Sequence, residues 1–462
     1  MLTEQVESTT CIACREQPTV WAEECSDGFR HFIGILLHFR KDDTMRNRWL
    51  IALSAIGIHI CIGSVYAWSV LTRPIMAAMG WSLKETTWTF SLAILFLGLS
   101  AGLLGGFAEK IGPKKSGLLS TLFFGIGMIG TSYALTAHSL DLLYVFYGVI
   151  GGIGLGIGYI TPVSTLVKYF PRNRGFATGL AIMGFGFAAL IAGPLMQKLT
   201  VAYGLIDTFR ILGVAYIIIM ALSSLYLKPP VASETTADPV KAQRAAAILN
   251  RGMSLRDATR TWQFAALWWV FFINITCGIG LLAVASPMAQ EVVGMSAGQA
   301  ASMVGIIGLL NGLGRIGWST VSDYLGRGLT YALFFLLEII AFALLAHTTG
   351  SVMFQILVFA IITCYGGGFA CMPAYLSDLF GTKQLSAIHG RVLTAWGFAG
   401  IAGPTLVSFL RESTSGYSIT LYVFAGLFVL NFIVALVLKF AGQTKHYEAE
   451  ITSTNDVKAT AN

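Results

Sequence analysis

Along most of the chain, apolar residues run for about twenty positions at a time and are parted by short polar segments. Runs of that length match a helix rising about 1.5 Å per residue through the roughly 30 Å hydrocarbon core of a bilayer. Membrane-barrel strands would be about ten residues long and would alternate apolar with polar, and these runs do neither. The pattern predicts twelve transmembrane helices. The first six are approximately Trp49 to Leu71, Thr87 to Ala108, Gly117 to Ala137, Asp141 to Val163, Gly175 to Met196 and Phe209 to Leu227. The second six are Phe264 to Met288, Gly298 to Trp318, Tyr331 to His347, Val352 to Tyr375, Gly390 to Leu410 and Ser418 to Phe440.

Composition agrees and adds an orientation. Of 462 residues, 55% are hydrophobic and 11% charged, against roughly 25% charged in a soluble domain, which excludes an ordinary soluble protein. Lys and Arg are retained in cytoplasmic loops, whereas acids count for little. With the N-terminus inside, 24 of the 30 basic residues fall on the cytoplasmic side and five on the other (Arg73, Lys84, Lys198, Arg210 and Arg411), each outside a span or at its end, leaving Arg315 deep within a span. Both termini are therefore expected in the cytoplasm of a multi-pass protein of the cell (inner) membrane, surrounded by the lipid bilayer. The net charge of +7 follows from this loop bias and does not call for a nucleic-acid partner.

Residues 1–44 form a polar N-terminal extension, read as disordered or as a mis-assigned start. It lacks the apolar core of a signal peptide. Cys11-Ile-Ala-Cys14, with Cys25, His31 and His38, offers no second ligand pair at usable spacing, so no metal is expected, and no cofactor either. Cys61, Cys277, Cys364 and Cys371 fall in spans, where free cysteine is a small apolar residue. Six spans occupy residues 45–227 and six occupy 263–440. The polar stretch 228–262, with Pro229-Pro230, reads as a cytoplasmic linker, and 441–462 as a cytoplasmic tail.

The two halves echo one another. Glu109-Lys-Ile-Gly112 corresponds to Asp323-Tyr-Leu-Gly326 at an offset of 214, Pro162 to Pro373 at 211, and Gly193-Pro194 to Gly403-Pro404 at 210. A duplicated six-helix bundle places a substrate site near the midplane, between the halves.

At these residues the chain resembles the major facilitator superfamily. Gly105-Gly-Phe-Ala-Glu109-Lys110-Ile-Gly112-Pro-Lys114-Lys115 resembles that family's signature loop, with Glu where Asp is usual. Gly317-Trp-Ser-Thr-Val-Ser-Asp323-Tyr-Leu-Gly326-Arg327 resembles its degenerate copy. The physical sense expected is an acid at the N-terminus of the next span and a base against the previous helix's C-terminus. Gly105, Glu109, Lys110, Gly112, Lys114, Asp323, Gly326 and Arg327 are accordingly expected to be gate elements rather than ligands. A narrower resemblance is carried by Gly63-Ser-Val-Tyr66-Ala-Trp68-Ser, Tyr169-Phe170-Pro171-Arg-Asn-Arg174-Gly175, Asn311-Gly-Leu-Gly-Arg315 and His389-Gly390-Arg-Val-Leu-Thr-Ala-Trp396-Gly. These look like the oxalate/formate antiporter family and related monocarboxylate transporters. The resemblance implies an all-α membrane protein of the major facilitator fold, with two pseudo-symmetric six-helix bundles. It also implies a secondary active transporter of small carboxylates rather than an enzyme.

Arg315 is the most informative position. It lies eight residues from Asp323, about 12 Å into the bilayer core. An Arg at a helix centre costs about 2.5–3.5 kcal/mol, so it calls for a partner, and an anionic substrate is one. The alternative is a permanent ion pair with Glu338 in span nine. Asn311, one turn away on the same face, is placed either to bond a carboxylate or to bond another helix. By the resemblance, Tyr66, Tyr159, Phe185, Tyr365 and Phe369 occupy the places of aromatic cavity residues, two of them Phe here rather than Tyr. Also by the resemblance, dicarboxylate carriers have a Lys where this chain has Trp396. One Arg neutralises one carboxylate and a second would stay unpaired at a dry site, so a monocarboxylate of the lactate, pyruvate, formate or acetate type is favoured over oxalate.

His59 and His389 each stand seven residues before an expected site residue, Tyr66 and Trp396, and are candidates for proton coupling, as is Glu338. A solvated location near the cytoplasmic end is the plainer reading of His389. The expected cycle is alternating access by a monomer, with a proton or a counter-anion as second partner. The alternatives are an oxalate/formate-type antiporter and a non-transporting, transporter-like carboxylate sensor.

Overall fold

The structure, a computed structural model, describes residues 47–230, 252–414 and 416–459, with side chains up to residue 440 apart from residues 297 and 301. The extension at 1–44, most of the linker at 228–262 and the side chains of the tail at 441–462 lie outside the described residues. Twelve helices long and apolar enough to cross a membrane follow one another among those described. They are α1 (Arg48–Met79), α2 (Leu83–Ile111), α3 (Pro113–Thr136), α4 (Leu140–Tyr169), α5 (Arg174–Tyr203) and α6 (Leu205–Tyr226). After the linker come α7 (Trp262–Val293), α8 (Ala297–Leu325), α9 (Arg327–Leu345), α10 (Ser351–Phe380), α11 (Leu385–Thr414) and α12 (Ser418–Ala459).

Most helices overrun the apolar runs by one or two turns, notably the ends of α4, α8 and α10 and the start of α11. Hydropathy stops where hydrocarbon stops, whereas a helix continues until its orphan backbone groups find other partners. Here those partners are caps. Ser82 with Glu85 and Ser296 with Gln299 form capping boxes that start α2 and α8. Gly112 and Gly326 end α2 and α8 at φ +82° and +83°, a backbone that a residue with Cβ adopts only with strain. Arg391 belongs to this correction. Although counted among the cytoplasmic bases, Arg391 stands almost two turns inside α11, which starts at Leu385, and is half-buried.

Two helices depart from regular α geometry in ways apolar periodicity does not reveal. α1 tightens into a 3-10 turn at Ser64–Ala67, where the Ser64 hydroxyl donates to the Cys61 carbonyl (2.7 Å) and Tyr66 lies within the turn. α4 opens into a π-helical stretch at Tyr144–Gly151.

Within the first half, α1 packs on α5, α2 on α4 and α3 on α6. Within the second, α7 packs on α11, α8 on α10 and α9 on α12. Between the halves, α2 lies on α11 and α5 on α8, so the second helix of each half meets the fifth of the other. These crossings are lined by small residues. A Cβ on Gly98 would stand 2.6 Å from the Gly397 nitrogen, one on Gly105 2.8 Å from the Ser386 carbonyl oxygen, and one on Gly186 2.7 Å from the Gly312 Cα. Lipid gives helices no hydrophobic reason to associate, and close backbone approach through small residues supplies the van der Waals contact instead.

Candidate functional site

Two constellations join the halves. The first lies at the basic end of the bundle, where the α2–α3, α4–α5, α8–α9 and α10–α11 connections gather. Asp323, at the end of α8, accepts hydrogen bonds from the backbone N–H groups of Gly175 and Phe176, both 2.8 Å, at the first turn of α5. Glu109, at the end of α2, accepts from the backbone N–H of Ser386 (2.9 Å) at the first turn of α11. Each acid thus neutralises the partial positive charge of a helix N-terminus belonging to the opposite half. This corrects the expectation that each acid serves the next span in its own half: Gly112 and Gly326 turn α3 and α9 away, and it is α11 and α5 whose ends face the carboxylates.

Bases reinforce the arrangement. Lys168 pairs with Glu109 (3.0 Å), and Arg327 with Asp323 (2.6 Å) and Asp378 (2.9 Å). Arg327 also donates to the Ser322 hydroxyl. Arg174 of α5 reaches Asp378 (3.0 Å) and the Ser377 carbonyl (3.2 Å) on α10, again across the halves. The Ser386 and Ser164 hydroxyls meet, and Thr178 donates to the Ala370 carbonyl. Gly105 lies in the α2–α11 seam. Lys110 and Lys114 are exposed at this end. Arg174, Ser164, Thr178 and Ser386 were missed by sequence reasoning because their partners are some 190 to 220 positions away.

The second constellation surrounds Arg315, fully buried in the middle of α8. Its Nε donates to the Asn311 side-chain oxygen one turn back (3.2 Å), so Asn311 orients the guanidinium and, among the described residues, makes no bond to another helix. The guanidinium carbon lies 4.9 Å from the Phe369 ring centre and 5.7 Å from that of Phe185, one ring from each half. Trp396 joins these rings, at 4.8 Å from Phe369, 5.5 Å from Phe185 and 5.3 Å from Tyr159. Tyr66 packs on Phe185 (5.0 Å) and Tyr365 on Phe369 (5.2 Å). The structure therefore brings all eight expected binding residues into one cluster between the halves.

Polar capacity in this cluster is one-sided. Among the described residues, both Nη atoms of Arg315, the hydroxyls of Tyr66, Tyr159 and Tyr365, and Nε1 of Trp396 are buried without a hydrogen bond of full geometry, although Tyr66 and Tyr159 lean toward Arg315 and Tyr66 toward Tyr365. All six can donate, and buried donors of this kind are ordinarily satisfied. The Arg315–Glu338 pair weighed from sequence does not form: among the described residues no carboxylate is within ion-pair distance of Arg315, and Glu338 is buried toward Cys277 and Cys364 with Oε2 unpartnered. Sequence reasoning also missed Asn274 of α7. Its amide stands against Gly368 with no partner, one turn from Phe271, whose ring meets Phe369 at 5.1 Å. An Asn inside an apolar run was the available signal.

His59 and His389 lie beside this cluster, both fully buried. The solvated reading of His389 is thereby overturned: the early start of α11 carries it inside the packed region.

Comparison with known proteins agrees with this architecture. A sequence profile of the Major Facilitator Superfamily matches residues 53–369 and, overlapping, 277–459. The chain is 28% identical over 362 residues to the oxalate:formate antiporter of Oxalobacter formigenes, spanning 77% of this chain and 83% of that protein. It is 26% identical over 416 residues to monocarboxylate transporter 4 of Rattus norvegicus, spanning 87% and 85%. Among solved structures, FucP, a transporter of the superfamily in its outward conformation, shares the fold with a TM-score of 0.67 over 84% of this chain and 98% of its own, at 16% identity. The chain is a multi-pass membrane transporter and belongs to the Major Facilitator Superfamily.

Proposed function

We propose that this transporter moves a small monocarboxylate of the lactate, pyruvate, formate or acetate type, together with a proton, across the cell's inner membrane by alternating access. The observation that carries the reading is Arg315, buried with no acid beside it among the described residues, its two Nη atoms facing a cage of neutral hydroxyls and an indole N–H that can all donate to an anion. A carboxylate offers two oxygens in the spacing of the guanidinium fork, and its other lone pairs suit the tyrosine hydroxyls. Phe185, Phe369 and Trp396 form dry walls that strengthen the pair and suit a short apolar tail.

The similarity to an oxalate:formate antiporter favours exchange of a dicarboxylate as the second reading. Against it stands Trp396, which occupies the cage beside Phe369 and supplies one neutral donor where a second carboxylate would need a cation. Leaving one ionised carboxylate unpaired in such a place costs several kcal/mol, roughly the whole affinity of a small ligand.

The acid-to-helix contacts at the basic end support a cycle in which that end, assigned to the cytoplasm by the 24-to-5 bias of basic residues, is latched while the other end opens. Rocking of the two halves about the α2–α11 and α5–α8 seams would break Asp323 from α5 and Glu109 from α11. In proteoliposomes, wild-type protein should exchange labelled pyruvate, lactate, formate or acetate against the same unlabelled acid. Arg315→Gln should lose at least about a hundredfold of that rate while remaining folded, and Arg315→Lys most of it, because a point charge does not reproduce the fork. Exchange unchanged in Arg315→Gln would overturn the assignment.

A further inference from the structure

We infer that His59 and His389, one from each half, form with Tyr159 the proton-binding site of the transport cycle, set apart from the carboxylate site but linked to it through Arg315. The inference rests on the carboxylate reading above.

The geometry is a chain of three rings. His59 of α1 packs edge-on against Tyr159 of α4, centre to centre 5.2 Å, and His389 of α11 lies 6.0 Å from the same tyrosine ring. Nδ1 of His59 stands 2.9 Å from the Ala55 carbonyl oxygen. That oxygen only accepts, so Nδ1 carries the hydrogen of the neutral ring, and the Tyr159 backbone carbonyl beside the ring is a second acceptor for the hydrogen that protonation adds at Nε2. Among the described residues, Nε2 of His59, both ring nitrogens of His389 and the Tyr159 hydroxyl make no hydrogen bond of full geometry, although all three residues are fully buried and the Tyr159 hydroxyl leans toward Arg315. A packing role asks for an apolar ring; two imidazoles with unmet nitrogens flanking one phenol are a place to hold a proton.

The surroundings fix what that proton responds to. Around His59 the facing groups are Arg315 of α8, Tyr159 of α4, His389 of α11 and the Phe185 ring of α5 (6.5 Å). Around His389 they are His59 and Tyr159, with Arg391 two positions on in α11. From α2, uncharged Ala101 meets the neighbouring Gly390. The nearest acid along α11 is Glu109 at Ser386, one turn before His389, and it is already held by Lys168 and the Ser386 N–H. Arg315 is therefore the one fixed charge within reach of His59 among the described residues.

Coupling follows from charge. With Arg315 unneutralised, a proton on His59 would put two cations into one dry site, where their repulsion is weakly screened. A carboxylate seated on Arg315 removes that repulsion. Anion and proton then favour each other's binding by the same factor. The proton enters from one solution with the anion, sits on an imidazole nitrogen, and leaves with the anion on the other side. The loaded site holds the same net charge as the empty one, so transport is electroneutral. Because the two histidines come from opposite halves, rocking separates them and alters the site at the step where the proton must be released.

The test uses the purified full chain in weakly buffered detergent solution, titrated with pyruvate and read with a pH-indicator dye, and the same protein in liposomes. Wild type should take up about one proton per pyruvate bound, and a pH gradient, but not a membrane potential, should drive accumulation. His59→Gln/His389→Gln should lower proton uptake per bound pyruvate, and gradient-driven accumulation, by about tenfold or more, with pyruvate-for-pyruvate exchange falling far less. The two single variants provide the same readout should the double variant misfold. Proton uptake persisting at the wild-type ratio in the variants overturns the site. Wild type binding pyruvate without proton uptake overturns it while leaving the carboxylate reading standing. Wild type binding none of pyruvate, lactate, formate and acetate overturns both.

Discussion

Replacing Asp323 by alanine removes the acceptor for two backbone N–H groups of α5, at 2.8 Å each, from a side chain only 4% exposed. Hydrogen bonds to a charged group contribute about 1.5–3 kcal/mol each. Taking the lower figure for both, the closed state of the basic end loses about 3 kcal/mol relative to the open state, in which water serves the same groups. That is about a 150-fold shift, enough to carry an open-to-closed ratio of about 1:99 to about 60:40. The remaining bridges, Arg174 to Asp378 and Glu109 to Ser386, keep the shift finite. The readout is pulsed electron spin resonance between labels on Lys114→Cys and Lys383→Cys, both exposed at the basic end and on opposite halves, with the native cysteines replaced. Asp323→Ala should add a second, longer distance population, and Glu109→Gln a smaller one, since it caps α11 through a single N–H. A distance distribution identical to the parent's in Asp323→Ala would refute the latch.

Trp396→Lys should cut exchange of monocarboxylates and confer oxalate uptake, measured by labelled oxalate counterflow; a variant that is active on monocarboxylates and still excludes oxalate would remove Trp396 as the discriminating residue. Gly98→Val should lower the melting temperature followed by tryptophan emission, because its Cβ would stand 2.6 Å from the Gly397 nitrogen and overpacking costs about 1–3 kcal/mol; an unaltered melting temperature would mean the α2–α11 seam is looser than described. Arg411→Ala, by contrast, breaks a pair with Glu291 whose side chains are 43% and 47% exposed. Such a pair contributes below about 1 kcal/mol, so melting temperature and label distances should both stay near wild type.

The twelve spans and the oddity of Arg315 were legible because both depend on one local property, the cost of polar groups in hydrocarbon. Helix ends were not, since hydropathy is silent about the turns of α4, α8 and α10 that continue past the apolar run. Nor were the 3-10 turn around Tyr66 and the π-helical stretch of α4, which leave apolar content unchanged. The acids Glu109 and Asp323 stood out by their repeat, yet their acceptance of Ser386 and of Gly175 with Phe176 depends on pairing positions 277 and about 148 residues apart. His389 looked solvated because the start of α11 was set by its first long apolar run, at Gly390. The expected aromatic positions did fall together, and what sequence withheld was Asn274 and the placing of Tyr159 between two histidines.

The capping exchange has an implication for how such a chain arose and is assembled. Glu109 on Ser386 and Asp323 on Gly175 are the same contact repeated under a two-fold rotation, with the second helix of one half serving the fifth of the other. In a homodimer of a six-helix chain, a single acid would make both contacts at once, as an isologous interface requires. Fusion of two copies preserves both contacts and frees each to diverge, which is the pattern here: Glu on one side, Asp on the other, and different basic partners. Each half carries a helix start whose acceptor lies in its counterpart, so the halves produced as separate polypeptides should recover transport only when made together.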